Sequence, residues 1–222
     1  MIYLEIDPFH PPESVIETAG GIVKEGGVIC YPTETLYGLG GNALSSSVIR
    51  KVNRAKGRPE NEPCIMLIDK SDAENWIKRF DTLKRLIDLY WPGPLTLVVE
   101  PARTDDLPEE ILGPGGGLAL RAASLPLDLA LIRKSGMPIL STSANRSGEP
   151  PRTTLEGARE WLETFCDIVL DSDKIYSKGP STIIDVREFP EKIHVLREGA
   201  ISIRAIQEDF PTTEFRFARK NN

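Results

Sequence analysis

Apolar residues recur at helical spacing in Val15, Ile16, Ala19, Ile22 and Val23, the stripe of an amphipathic helix. Pro12 stands near its start, and Gly26-Gly27 closes its end. Val28–Tyr31 is an unbroken apolar run, which predicts a buried strand. Pro32 ends it, having no N–H to give to a ladder. A second helix is expected from about Val48 to Ala55, with Ser45, Ser46 and Ser47 as candidate N-caps. Gly57 suits its C-cap, and Pro59 lies just beyond. Cys64–Ile68 reads as a short buried strand, and Ser71 as the cap of a helix through Trp76. Leu83, Leu86, Ile87 and Tyr90 mark a further helix, broken at Trp91-Pro92-Gly93-Pro94. Strands are expected at Leu95–Glu100, Leu118–Ala122, Pro138–Thr142, Ile168–Leu170, Thr182–Val186 and Ile193–Leu196. Helices are expected at Leu127–Lys134, Leu155–Phe165 and Ile201–Asp209. Several strands follow one another without a helix between them, so the sheet should be mixed. The pattern is that of one α/β domain over residues 1–209. The polar tail, 210–222, is expected to fray after Pro211.

Composition narrows the class. The chain has 222 residues, 40 % of them apolar, enough to bury a core as one domain. No apolar run approaches a membrane span, and the first residues lack the basic start and long apolar core of a signal peptide. Three scattered cysteines, Cys30, Cys64 and Cys166, argue against a disulfide framework and fit a reducing, cytoplasmic setting. His10 and His194 are the two histidines, too far apart for a zinc site or a histidine-based triad. The net charge of −6 disfavours a protein built mainly to hold a nucleic-acid backbone. Local basic patches could still bind RNA.

Candidate chemistry concentrates in Tyr-Pro-Thr-Glu-Thr-Leu-Tyr-Gly-Leu-Gly-Gly-Asn, residues 31–42. Hydroxyls, a carboxylate and three glycines follow a strand end, where open α/β sheets place ligands. The same composition also makes an ordinary strand-to-helix loop, in which Gly38, Gly40 and Gly41 turn the chain. From Thr35 to Pro59 there are 25 residues without Asp or Glu, and Arg50, Lys51, Arg54, Lys56 and Arg58 cluster there. Lys56 and Arg58 should leave the helix end on an irregular segment outside the core, where two cations can converge on phosphate. The other three read as surface charges. No Walker lysine motif, dinucleotide fingerprint or nucleophile elbow is present. Hydroxyls, amides and cations on loops suit a reaction whose reactive groups come from the substrates.

The stretch 31–39 with Lys-Gly-Arg-Pro at 56–59 resembles the YrdC-like (TsaC) threonylcarbamoyl-AMP synthases. Further matches follow in order: Trp-Pro-Gly-Pro-Leu-Thr at 91–96, Ala-Leu-Arg at 119–121, Ser-Thr-Ser-Ala-Asn-Arg-Ser-Gly at 141–148, Ser-Thr-Ile-Ile-Asp at 181–185 and Arg-Glu-Gly at 197–199. The resemblance implies a single YrdC-like α/β domain, a twisted mixed sheet flanked by helices with a deep substrate cleft. It implies synthesis of threonylcarbamoyl-AMP and pyrophosphate from ATP, L-threonine and bicarbonate, for threonylcarbamoyladenosine in tRNA. Mg²⁺ is expected with ATP, without a protein metal cage. Partner proteins would carry the group to tRNA. Direct contact with tRNA or double-stranded RNA stays open, as does the rival of an RNA-binding module or a divergent paralogue. The chain ends soon after the resemblance, so an extra C-terminal domain is not expected.

Residue by residue, the resemblance gives Lys56 and Arg58 to the ATP phosphates, as the catalytic cations. It gives Thr33, Arg121 and Ser181 to threonine, and Ser141, Ser143, Asn145 and Arg197 to the nucleotide. Each has a plainer alternative. Thr33 can be a turn hydroxyl, Arg121 an edge-strand salt bridge, and Ser141, Ser143 and Asn145 an Asx/Ser turn. Trp91 and Tyr90 read as core or wall, and Gly115–Gly117 as a turn.

Overall fold

The apolar runs become strands and the apolar stripes become helices, largely where the pattern puts them. The computed structural model describes residues 1–173, 175 and 179–218. It opens with strand β1 (Ile2–Glu5), helix α1 (Glu13–Lys24), strands β2 (Ile29–Pro32) and β3 (Tyr37–Asn42), and helix α2 (Ser46–Lys56). Strand β4 (Ile65–Ile68), helices α3 (Ala73–Trp76) and α4 (Phe80–Tyr90), and strands β5 (Leu95–Val99) and β6 (Leu118–Ala122) follow. Next come helix α5 (Pro126–Ser135), strand β7 (Ile139–Ser143), helix α6 (Arg159–Glu163) and strand β8 (Ile168–Asp171). Strands β9 (Thr182–Asp185) and β10 (Lys192–Arg197), helix α7 (Ile203–Asp209) and strand β11 (Glu214–Phe217) complete it.

The strands form one mixed sheet of 11, ordered β1-β8-β2-β3-β7-β4-β6-β5-β9-β10-β11. Parallel pairs such as β4–β6 and β5–β9 alternate with antiparallel ones such as β3–β7 and β9–β10. One face packs against α2, α4 and α7 through Val48, Ile49, Val52, Leu83, Leu86, Ile87, Ile203 and Ile206. The other face packs against α1 and α5 through Ile16, Ala19, Val23, Leu127 and Leu131 over Ile29, Tyr31, Leu67 and Ile139. Cross-strand partners share a face. Leu67 pairs with both Arg121 and Ile139, and Gly40 pairs with Ser141. Arg121, Ser141 and Ser143 therefore stand on the α1/α5 face, beyond the part those helices cover. Thr96, Ile183 and Arg197 pair in a row farther along the sheet.

Several expectations are corrected. Residues 37–42 are a strand, not a loop. Gly40 is required because a Cβ there would lie 2.2 Å from the Leu140 carbonyl oxygen, so β3 and β7 approach too closely for a side chain. The helix expected over Leu155–Phe165 is confined to α6, because Gly157 sits at φ +68° just before it. Asp69, not Ser71, caps the turn before α3 by accepting the Ser71 N–H. β1 was not foreseen. The segment expected to fray after Pro211 carries β11, which pairs in parallel with β10. Ser45 caps α2 by accepting from Val48, and Gly57 ends it in the left-handed region.

Candidate functional site

Where α1 and α5 leave the sheet uncovered, the structure has a hollow of about 480 Å³. Other hollows of 440–470 Å³ exist, so size does not distinguish it; its lining does. Thr33, Arg58, Arg121, Ser141, Ser143, Ser181 and Arg197 all line it, with Thr35, Gly38 and Cys64. Seven of the nine residues singled out from the sequence thus meet in one place. They come from the β2–β3 turn, the segment after α2, and strands β6, β7 and β10 with the residue before β9.

The other two, Lys56 and Asn145, lie behind the wall. Lys56 is not on an irregular segment outside the core, as expected. It is the last residue of α2 and only 4 % exposed. Its Nζ donates to the carbonyls of Ser143 and Asn145, so it ties the end of β7 to the end of α2. Burial, and then the Arg58 charge, push its pKa down to about 8. Asn145 is spent on the same loop, donating from Nδ2 to the carbonyls of Arg146 and Glu149 at 2.8 Å each, while its buried Oδ1 has no partner among the described residues.

Arg58 is held by Asn53 Oδ1 at 2.7 Å and by Cys64 Sγ at 2.7 Å. Arg197 donates to the Ser181 carbonyl at 3.1 and 2.9 Å and to Ser181 Oγ at 3.2 Å. Burial and the nearby Arg121 charge lower its pKa. Among the described residues, Lys56, Arg58 and Arg197 have no carboxylate partner. By contrast Arg50, Lys51 and Arg54 pair with Glu110, Asp167 and Glu60. The basic segment thus divides into neutralised surface charges and cations left over for the hollow.

Hydroxyls complete the wall. Thr33 Oγ1 donates to the Leu36 carbonyl at 2.7 Å and accepts from the Leu36 and Thr35 amides at 3.2 Å each. It shapes the β2–β3 turn while lining the hollow. Ser181 Oγ lies 2.9 Å from Thr96 Oγ1. Arg121 is 3 % exposed in an interior strand, not at an edge. Its Nη1 donates to Thr35 Oγ1 at 3.2 Å, and its Nε lies 3.2 Å from Glu34 Oε1. Trp91 is core, donating from Nε1 to the Leu95 carbonyl.

Sequence reading placed Glu34 and Thr35 in the candidate stretch without giving either a role, and it missed Asp128. Asp128 sits among Leu127, Leu131 and Ile132, and an acid at the sheet-facing positions of a helix is the signal that could have exposed it. No group of three or more His, Cys, Asp or Glu side chains among the described residues is placed to hold a metal ion. No helix among them is long and apolar enough to cross a membrane.

Known proteins give a consistent comparison. Residues 21–199 match the Sua5/YciO/YrdC family model, described as "Telomere recombination". A Bacillus subtilis protein named threonylcarbamoyl-AMP synthase is 41 % identical over 203 residues, covering 90 % of this chain and 58 % of its own length. A Pyrococcus abyssi protein of the same name is 32 % identical over 195 residues, covering 87 % and 56 % respectively. The chain thus spans a little over half the length of these curated relatives. The solved structure of P. abyssi Sua5 complexed with L-threonine superposes with a TM-score of 0.85 at 31 % identity, covering 97 % of this chain and 62 % of that one.

Proposed function

This chain belongs to the Sua5/YciO/YrdC family, and from that premise we propose that it joins L-threonine, bicarbonate and ATP into threonylcarbamoyl-AMP, releasing pyrophosphate. The observation that carries the reading is the charge of the hollow. Arg58 and Arg197 reach it, Lys56 stands behind it, and none of the three has a carboxylate partner among the described residues. Cations that gather at one hollow without a counter-charge suit an anionic ligand.

The reaction needs such a place. The threonine amine bonds to the carbon of bicarbonate as a C–O bond breaks and water leaves, which gives an N-carboxylate. One oxygen of that carbamate bonds to the α-phosphorus of ATP, and the bond to the pyrophosphate oxygen breaks. A carbamate anion then meets an anionic phosphate, so fixed cations lower the barrier. In this reading Arg58 faces the phosphates, and Lys56 adds positive charge from behind the wall while it holds the carbonyls of Ser143 and Asn145. Ser141, Ser143 and Arg197 take the rest of the nucleotide, with Asn145 shaping their loop. Thr33, Arg121 and Ser181 receive threonine. Mg²⁺ enters with ATP, as part of the substrate. The adenylate would pass to partner proteins that modify tRNA beside the anticodon.

The test is the full chain with ATP, Mg²⁺, threonine and isotope-labelled bicarbonate, read by mass spectrometry. Pyrophosphate should form only when threonine and bicarbonate are both present, and the label should enter the adenylate. No covalent enzyme intermediate should accumulate, since no protein nucleophile is used. Pyrophosphate release that ignores bicarbonate would refute the mechanism.

A further inference from the structure

Helix α2 buries an amide among its apolar side chains. Val48, Ile49 and Val52 pack against the sheet, and Asn53 beside them is 0 % exposed. A buried amide destabilises a fold unless its hydrogen bonds are made. Here they are made, and all within the loop that follows the helix. Asn53 Nδ2 donates to the Glu60 carbonyl at 2.8 Å and to the Glu62 carbonyl at 3.0 Å. Its Oδ1 accepts from Arg58 Nε at 2.7 Å, and its backbone carbonyl accepts from the Arg58 amide at 3.1 Å. The amide has one workable orientation. Turned over, it would set its oxygen against two carbonyls and its N–H groups against a guanidinium.

Arg58 carries five N–H donors in a planar fork. One edge, Nε with one N–H of Nη2, is spent on Asn53 Oδ1 and Cys64 Sγ. Both acceptors are neutral: an amide, and a thiol whose pKa burial raises. Arg54, four residues earlier, is treated differently, with its Nε 2.6 Å from a Glu60 carboxylate oxygen. Three N–H groups of Arg58, two on Nη1 and one on Nη2, have no partner among the described residues. That opposite edge is a fork suited to bidentate contact with phosphate. An arginine has many rotamers, and fixing one only when a ligand arrives weakens binding. A hold made in the free protein removes that cost.

We propose that Asn53 is the positioning residue for Arg58: its amide oxygen fixes the Nε edge of the guanidinium and its amide nitrogen fixes the loop, so that the opposite edge is presented to the hollow. Arg58 lines the hollow and Asn53 does not, so Asn53 acts through Arg58. The benefit to ATP binding rests on the function proposed above; the hold on Arg58 does not.

Two measurements on the full chain separate these claims. The first is hydrogen exchange of the Arg58 Nε–H in the free protein, followed by NMR as the signal that Arg58→Ala lacks. It should exchange slowly with water in the parent and lose that protection in Asn53→Leu. Exchange in the parent as fast as in free arginine overturns the proposal. The second is MgATP affinity, by calorimetry, in a double-mutant cycle of Asn53→Leu and Arg58→Ala. Asn53→Leu alone should bind about tenfold more weakly, the scale of one hydrogen bond to a charged group. In the Arg58→Ala background the same substitution should change affinity by no more than about twofold, because its target is gone. Equal losses in both backgrounds would mean that Asn53 only shapes the loop, and the proposal is wrong. KM should divide likewise, rising for ATP and not for threonine. If Asn53→Leu does not fold, Asn53→Ala takes its place in the cycle, and the exchange rate of the parent needs neither. A parent protein that binds no MgATP would refute the proposed function alone, and the exchange rate would still decide the hold on Arg58.

Discussion

Lys56 does two jobs with one ammonium group, holding backbone carbonyls and adding positive charge behind the hollow. Its pKa is pushed from the ordinary 10.5 down to about 8, by burial first and by Arg58 second. Between those values the unfolded chain keeps the proton and the folded chain does not. Burying the cation therefore costs stability below about pH 8, and the cost is relieved as pH rises toward the ordinary lysine value. Anion binding has the opposite sign, because a polyanion prefers the protonated form. ATP affinity, measured calorimetrically from about pH 7 to about pH 9.5, should fall as pH passes the Lys56 value. In Lys56→Met the affinity should be lower throughout and the step should vanish. A step that persists in the variant would assign it to another group. At this scale the sequence was legible in part. The cations and hydroxyls announce themselves by type, and Arg58, Arg121, Ser181 and Arg197 do meet. What burial does to Lys56, and where Asn145 spends its amide, depend on the loop after β7, which no local pattern reports.

At the scale of elements, legibility follows the range of the forces involved. Ser45 and Gly57 cap α2 through bonds to residues a few positions away, so the caps could be read directly. The glycines of β3 could not. The reason for Gly40 is the Leu140 backbone, and for Gly41 the Gly27 backbone, each distant in sequence and close in space, which is why a strand looked like a turn. Gly40→Ala is the corresponding test. Its Cβ would meet the Leu140 oxygen at 2.2 Å and Tyr31 Cε1 at 2.9 Å. The backbone contact cannot rotate away, so a loss of about 3 kcal/mol is expected in denaturant unfolding. Gly21→Ala is the control, since its Cβ would meet nothing within 4 Å. Equal stability of the two variants would refute the argument from close approach. The missed β11 has a similar cause. Glu214–Phe217 alternates charged and aromatic residues and is mostly exposed; it is ordered by the ladder to β10 and by Phe215 against the margin of the core.

For the whole molecule, charge is distributed against the average. A chain of net charge −6 gathers cations without a carboxylate partner at one hollow, while Arg50, Lys51 and Arg54 on the neighbouring helix are neutralised locally. ATP should therefore bind in a salt-sensitive way, through screening of an anion by fixed cations. At about a hundredfold excess over Kd it should stabilise the fold by about 2.7 kcal/mol, or roughly 5–10 °C in Tm for a domain of this size. Adding salt should shrink that shift. A shift insensitive to salt would mean that the nucleotide sits elsewhere.

The hollow also joins residues made far apart in time. Thr33 emerges from the ribosome well before Ser181 and Arg197, which belong to a segment that must pair beside β5 before the wall closes. Contacts of such long sequence separation form late in folding. No nascent or prematurely terminated chain can hold the ligand while it lacks β9 and β10. Ligand capture thereby becomes a report on the sheet: whichever molecules bind have, by that fact, already set β9 and β10 beside β5.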